Sequence, residues 1–323
     1  MSAEMLAFGP VPSRRLGNSL GINHIPAKYC TYACVYCQVG PTHPLTLRRQ
    51  TFFPAVEVAR AVAGKLSRAQ HAGQNVDAIT FVPDGEPTLD LNLGEMLAIL
   101  KPLGITLAVI TNGSLMWNAE VRAALLGANW VSVKVDAAHE RVWRAVNRPH
   151  GRLSFEQVMD GIRTFAAEFQ GTLVTETMLV DGVNDSDAEI DTLADFLAEV
   201  QPDEAWLGTP IRPAVDPWVR ALPDERLFTV ARRAQAQVPV LRTLGAEPES
   251  GFVLTGDPLD DILAITAVHP LREETLLAML RARGEGAPWL EAQVVAGRLR
   301  RISYRGTDFY LYDWERGKEK RKP

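Results

Sequence analysis

Cys30, Cys34 and Cys37 are all the cysteines of this 323-residue chain, and they fall in the single stretch Tyr29-Cys30-Thr31-Tyr32-Ala33-Cys34-Val35-Tyr36-Cys37-Gln38. Thiolates this dense suit a soft metal centre. A disulfide framework fits poorly. The count is odd, and residues 1–12 lack a basic start followed by an apolar run, so the expected location is cytoplasmic. Zinc asks for a fourth ligand, and His24 or His43 would have to supply it from an uncustomary spacing. An iron–sulfur cluster ordinarily takes four cysteines. With three, one iron keeps an open position where a substrate or cofactor can bind and react.

Other residues of chemical interest recur at the ends of apolar runs. Asp84-Gly85-Glu86-Pro87 combines a glycine, which lets backbone approach a ligand, with a carboxylate that can pair with an ammonium. Thr111-Asn112-Gly113 ends another run. Lys134 and Asp136 alternate with Val133 and Val135, so they point the same way and are costly to bury unless paired with each other or with a ligand. Thr175, Glu176 and Met178 form a third group. Arg14, Arg15 and Lys28 lie near the cysteines, where they would favour an anionic cluster or an incoming redox partner, or simply face solvent.

These positions need a scaffold that brings them together. Strand-like runs at 17–25, 77–82, 105–110, 130–135, 172–180 and 204–208 alternate with helical patterns at 55–72, 91–100, 118–126, 155–169, 187–200 and 225–237. Strands alternating with helices predict an α/β fold with a parallel sheet and helices outside it. Ligands of such sheets bind at the carboxyl ends of the strands. The cysteine loop, Gly85, Glu86, Thr111, Asn112, Lys134, Asp136 and Glu176 are therefore expected on one rim.

The pattern changes after residue 244. Residues 245–258 read as a linker, 259–266, 272–283 and 288–296 as three short helices, and 299–304 with 309–312 as a hairpin around Arg305-Gly306-Thr307-Asp308. Three helices and a hairpin are a winged-helix-like arrangement over 259–313. Its third helix can enter a nucleic-acid groove while the wing contacts phosphates; protein contacts or a lid role remain open. A basic tail follows over 314–323.

Composition is that of a globular protein, 46% hydrophobic and 23% charged, with no apolar run long enough to cross a membrane. The net charge of −5 does not advertise nucleic-acid binding, although residues 298–323 hold nine basic and four acidic side chains. A solvated tail explains the last basic residues equally well.

The cysteine spacing, with Tyr36 before the last cysteine, resembles the radical S-adenosylmethionine (SAM) superfamily. The resemblance implies a partial (β/α)6 barrel over 1–244 and one [4Fe-4S] cluster bound by Cys30, Cys34 and Cys37. It further implies that SAM chelates the fourth iron and is cleaved reductively to a 5'-deoxyadenosyl radical that abstracts hydrogen from substrate. The implied SAM-site residues are Tyr36, Gly85, Glu86, Thr111, Asn112, Lys134, Asp136 and Glu176. Asp84 departs from the family's Gly-Gly-Glu-Pro, and the left-handed conformation that aspartate tolerates is expected to keep the turn. Segments including Phe8-Gly9-Pro10-Val11-Pro12-Ser13-Arg14-Arg15-Leu16-Gly17 and Gly182-Val183-Asn184-Asp185 are similar to iron–sulfur oxidoreductases related to the enzymes of tRNA wyosine synthesis. Those enzymes hold a second cluster, for which this chain has no cysteine left. A small redox protein is the expected electron donor. RNA or a protein is the expected substrate, presented by the winged helix. Two other readings stay open: an activating enzyme that installs a radical on a partner protein, and a non-enzymatic metal-binding regulator of nucleic acid.

Overall fold

Alternating side chains sort the strands into two faces. Leu20, Ile22, Ile79, Phe81, Leu107, Val109, Val131, Val133, Leu173 and Leu207 join the main core beneath the helices. The intervening Ser19, Thr80, Ala108, Ser132, Lys134, Val174 and Glu176 face the other way, into the lumen of a curved sheet. The computed structural model describes residues 5–244 and 251–314. Its sheet runs β1 (Ala7–Ser13), β2 (Gly17–Ile22), β3 (Ala78–Phe81), β4 (Thr106–Thr111), β5 (Trp130–Lys134), β6 (Thr172–Met178), β7 (Glu204–Gly208) and β8 (Leu241–Thr243), in that spatial order. Strands β2 to β8 pair in parallel, and β1 lies antiparallel on β2.

Helices α1 (Ala55–His71), α2 (Leu93–Leu100), α3 (Ala119–Leu125), α4 (Glu140–Asn147), α5 (Phe155–Glu168), α6 (Asp187–Val200) and α7 (Asp224–Gln235) connect the strands. Asn118, Ser154 and Ser186 cap α3, α5 and α6 by accepting backbone N–H groups of the first turn. The expected barrel strands and helices are all present, with ends shifted by a few residues. Three barrel elements were not expected. Strand β1 carries two prolines and a register shift between Phe8 and Val11, which hides strand periodicity but suits an edge. Strand β8 is too short to show a pattern. Helix α4 closes a gap that reads as loop, although Val142, Trp143 and Val146 have helical spacing. Gly21 is required where β1 meets β2, since a Cβ there would lie 2.0 Å from the Phe8 ring.

The C-terminal part comprises α8 (Pro258–Thr266), β9 (Leu271–Arg272), α9 (Glu273–Arg281), α10 (Ala287–Val295), β10 (Leu299–Tyr304) and β11 (Thr307–Tyr312), with strand order β10-β11-β9. Its core of Ile262, Ile265, Leu276, Leu280, Leu290 and Tyr310 also takes in Met5 and Phe8 from the chain's start. The ion pair of Lys65 with Asp261, both buried, ties α1 to α8. The Tyr304 hydroxyl donates to the Pro210 carbonyl at 3.1 Å. This part is thus seated on the barrel along β1, α1 and the segment after β7. The basic tail from residue 315 and linker residues 245–250 lie outside the described residues. Among the described residues no helix is long and apolar enough to cross a membrane.

Candidate functional site

The loop from β2 to α1 carries the three cysteines, each half-buried. Neighbouring elements hold it from two sides. The end of α4 accepts backbone N–H groups of Ala33 and Val35 through the carbonyls of Asn147 and Val146, at 3.0 and 2.9 Å. The segment after β7 donates Val215 N–H to the Cys37 carbonyl at 2.8 Å. Two sulfurs receive side-chain amides: Asn112 Nδ2 lies 3.6 Å from Cys30 Sγ, and Asn147 Nδ2 lies 3.4 Å from Cys34 Sγ. Burial pushes all three thiols up, Cys34 to about 12, with Asp136 adding to the effect on Cys34. Such thiols stay protonated without a metal; the positive charge of bound iron reverses this. Among the described residues no three His, Cys, Asp or Glu side chains converge on a single ion. Three cysteines on one loop, two of them with amide donors at their sulfurs, are a donor set that fits an iron–sulfur cluster. His24 is fully buried, edge-on to Phe81 with Nε2 3.4 Å from the Pro87 carbonyl, in a packing role.

Gly85 and Glu86 follow β3 and lie directly under this loop. The Glu86 N–H donates to the Tyr29 carbonyl at 3.0 Å. The Glu86 carboxylate is nearly inaccessible and well supplied with donors. Its Oε1 accepts from Thr88 N, Thr88 Oγ1 and Thr111 Oγ1 at 3.0, 2.6 and 2.6 Å, and its Oε2 from Asn112 N at 2.8 Å. The side chain therefore braces the end of β3 against the end of β4. An ammonium partner, expected from sequence, would compete with those donors. Asp84 also differs from expectation. It does not adopt a positive φ, whereas Lys28, which contacts it from the loop after β2, does, at φ 71°. Lys28 Nζ donates to Asp84 Oδ1 at 2.9 Å, and Lys28 N donates to the Asp84 carbonyl at 2.8 Å. Burial pushes the Asp84 carboxyl up to about 7 despite that lysine.

Lys134, Asp136 and Glu176 meet inside the lumen. Lys134 Nζ lies 3.1 Å from Glu176 Oε1, 3.8 Å from Asp136 Oδ1 and 5.1 Å from the Tyr36 ring centroid. Arg15, described by sequence only as near the loop, forms an ion pair with Glu176. Burial would raise the Glu176 carboxyl, but Lys134 and Arg15 outweigh it and hold it well below the usual range. Burial likewise works against the Lys134 ammonium, and Glu176 and Asp136 overcome it. Asp136 is enclosed: Tyr36 Oη and Asn147 Nδ2 donate to its Oδ2, and Met178 N to its Oδ1 at 2.7 Å. Thr175 alternates with Glu176, faces away from the lumen, and leaves its buried hydroxyl without a partner.

Two residues escaped sequence reasoning. Asn147 links Cys34 to Asp136 from the end of α4. Asn184 donates to the carbonyls of Asp136 and Met178 at 2.8 and 2.9 Å, tying the β5 and β6 rims together. Asn184 stood inside the segment Gly182 to Asp185, and that segment was the available signal.

A profile of the Radical SAM superfamily matches residues 24–195. A UPF0026 protein from Methanocaldococcus jannaschii is 37% identical over 308 residues, 95% of each chain. Among solved structures, a radical SAM methyltransferase from Sphaerobacter thermophilus superposes with a TM-score of 0.54 at 20% identity, over 71% of this chain and 67% of that one. TYW1 with a lysine-pyruvate adduct superposes with a TM-score of 0.51 at 16% identity, over 68% and 73% of the two chains. Identities this low speak for the shared fold.

Proposed function

The chain belongs to the radical SAM superfamily, with a [4Fe-4S] cluster and SAM as its cofactors, and on that premise we propose that its substrate gives up a hydrogen atom in the lumen, beneath the C-terminal part. Cys30, Cys34 and Cys37 hold the cluster in this reading. When bound, it supplies one electron that breaks a carbon–sulfur bond of SAM, leaving methionine and a 5'-deoxyadenosyl radical. An external donor, a small redox protein, delivers that electron.

The observation that carries the site assignment is the Lys134–Glu176–Arg15 group. It faces the same rim as the cysteines and retains some exposure, 15% for Lys134 and 11% for Glu176, where Glu86 and Asp136 are sealed. SAM presents an amino group and a carboxylate. We assign Glu176 to the first and Lys134 to the second, each giving up part of its present partner. Tyr36, from within the cysteine loop, sets its ring 5.1 Å from Lys134 Nζ. Glu86, Thr111, Asn112 and Asp136 hold the rim rigid, and Gly85 admits the cysteine loop over it.

The C-terminal part runs helix, short strand, two helices and hairpin. We read this part as a cover. Helix α10, the element that would enter a groove, contains neither Lys nor Arg. On β10, Arg301 is committed to Asp308 and Tyr304 to Pro210. These features favour closure over the lumen and weaken RNA presentation.

Replacing Lys134 by Met tests the assignment. SAM should bind at least about tenfold more weakly in equilibrium dialysis, with iron content unchanged, a loss of about 1.4 kcal/mol. Unaltered SAM affinity would remove Lys134 from the site.

A further inference from the structure

Three segments pack on the cysteine loop and carry the exposed residues around it. Residues 42–46 follow the loop: Thr46 N donates to the Cys30 carbonyl and Thr42 Oγ1 to the Tyr32 carbonyl, each at 2.9 Å. Residues 147–150 leave α4: the Arg148 carbonyl accepts Ala33 N–H at 3.1 Å, and His150 N donates to the Thr31 carbonyl at 2.9 Å. Residues 215–219 follow β7: Asp216 N donates to the Val35 carbonyl at 3.3 Å, beside the bond from Val215 to Cys37. A macromolecule that approaches the cysteines from solvent meets these segments first.

Asp216 gathers two exposed side chains there. Its Oδ2 accepts from Trp218 Nε1 at 3.0 Å and from Arg148 Nη2 at 2.5 Å. Val219 packs inward on Val35, whereas Trp218 turns outward and is 48% exposed. The Arg148 side chain is 47% exposed. Tryptophan and arginine are the side chains that most often anchor protein interfaces, and side chains already held in place lose little freedom on docking.

The surroundings are basic although the chain is acidic. From residue 5 to residue 56, the span that contains the cysteines, there is no Asp or Glu, against Arg14, Arg15, Lys28, Arg48 and Arg49, while the whole chain carries −5. Residues 147–152 add Arg148 and Arg152, and Arg220 follows Trp218. Arg48, Arg152 and Arg220 are exposed, and among the described residues none of the three is paired with a carboxylate. Asp216 is committed to Arg148 and Trp218. Asp181, whose N–H donates to the Arg220 carbonyl at 3.1 Å, and Glu120, paired with Arg49, border the face.

We propose that Trp218 with Arg148, Arg152 and Arg220 forms the docking face of the electron donor, a small acidic redox protein. Its apolar spot seats on Trp218 and its carboxylates meet the arginines. Complementary charge of this kind speeds encounter and selects the partner. The donor is oxidised by one electron and the cluster is reduced by one. The route inward is short, from Trp218 through Asp216 to the backbone of Val35, the residue after Cys34. The inference rests on the radical reading above and assigns the surface through which its electron arrives.

The test uses reduced flavodoxin, an acidic one-electron donor, mixed by stopped flow with the cluster-reconstituted full-length protein. Bleaching of the cluster's visible absorbance is followed without SAM, and dithionite, which needs no docking face, is run in parallel. Reduction by flavodoxin should slow at least about tenfold in Trp218→Ala and in the double variant Arg152→Glu with Arg220→Glu, and wild type should slow as salt is added. Reduction by dithionite should stay at the wild-type rate in both. Arg232→Glu, in the last turn of α7 at the opposite end of the sheet, should match wild type with either reductant. Wild-type rates with flavodoxin in both variants, equal slowing with dithionite, or no reduction of wild type by flavodoxin overturns the assignment. Formation of 5'-deoxyadenosine is scored separately with SAM, so failure of the docking face and failure of the radical reading stay distinguishable.

Discussion

Gly85 and Tyr29 touch so closely that a Cβ on residue 85 would sit 2.1 Å from the Tyr29 carbonyl oxygen. That carbonyl also accepts the Glu86 N–H and begins the cysteine stretch. The turn after β3 and the cysteine loop therefore share one backbone contact. Gly85→Ala must push the loop away, since a backbone oxygen cannot rotate aside. Overpacking of this kind costs about 1–3 kcal/mol. The expected outcome is a lowered urea midpoint together with less than half the wild-type iron after reconstitution. Wild-type iron loading would show that the contact does not govern the loop.

Asn147 and Asn112 direct N–H groups at Cys34 and Cys30. Hydrogen bonds to cluster sulfurs favour the reduced, more negative state. Asn147→Ala and Asn112→Ala should each lower the cluster's reduction potential by tens of millivolts, measured by potentiometric titration with electron paramagnetic resonance. A potential equal to wild type in both variants would deny the amides this role.

Lys65 and Asp261 join barrel to C-terminal part. Asp261 Oδ2 also accepts N–H groups of Thr255 and Gly256, at 2.6 and 2.8 Å. Removing one partner of a buried ion pair costs about 3–5 kcal/mol, because the other charge is stranded. Lys65→Met should show that loss in urea unfolding, along with faster proteolysis after α7. The double variant Lys65→Met with Asp261→Asn should recover part of it. A loss below about 1 kcal/mol would place the pair among exposed salt bridges.

Burial lowers His24 to about 4, against the Pro87 carbonyl that raises it. A histidine depressed in the folded state contributes stability that is complete above its unfolded value near 6.5 and is lost as the pH falls toward 4. Asp84 and Asp90, pushed up to about 7 by burial, run oppositely: their contribution is present below the ordinary carboxylate range and is lost as the pH rises toward 7. Comparison with His24→Gln separates the two. Between pH 7 and pH 4, wild type should lose about 3 kcal/mol more unfolding free energy than the variant. Parallel pH profiles would mean that His24 is not held neutral.

What sequence conveyed and what it hid have physical causes. The strands of the parallel sheet were legible because their outward faces repeat large aliphatic residues, as in Leu107 and Val109. The rim was legible because chemistry-bearing residues cluster at strand ends. Strand β1 was hidden by prolines that an edge tolerates, and α4 by an exposed face that reads as loop. Roles were harder than places. Glu86 looked like a partner for an ammonium, yet its oxygens answer Thr88, Thr111 and Asn112, donors brought together only by folding. Arg15 looked peripheral because nothing local joins it to Glu176, 161 positions away.

The central claim is that three cysteines hold a cluster with one open iron that cleaves SAM. The direct measurement is chromatography of 5'-deoxyadenosine after anaerobic reconstitution, reduction with dithionite and addition of SAM. Wild type should form 5'-deoxyadenosine and methionine in equal amounts, and Cys34→Ala should form neither. Wild-type protein that carries the cluster, binds SAM and yields no 5'-deoxyadenosine would contradict the account.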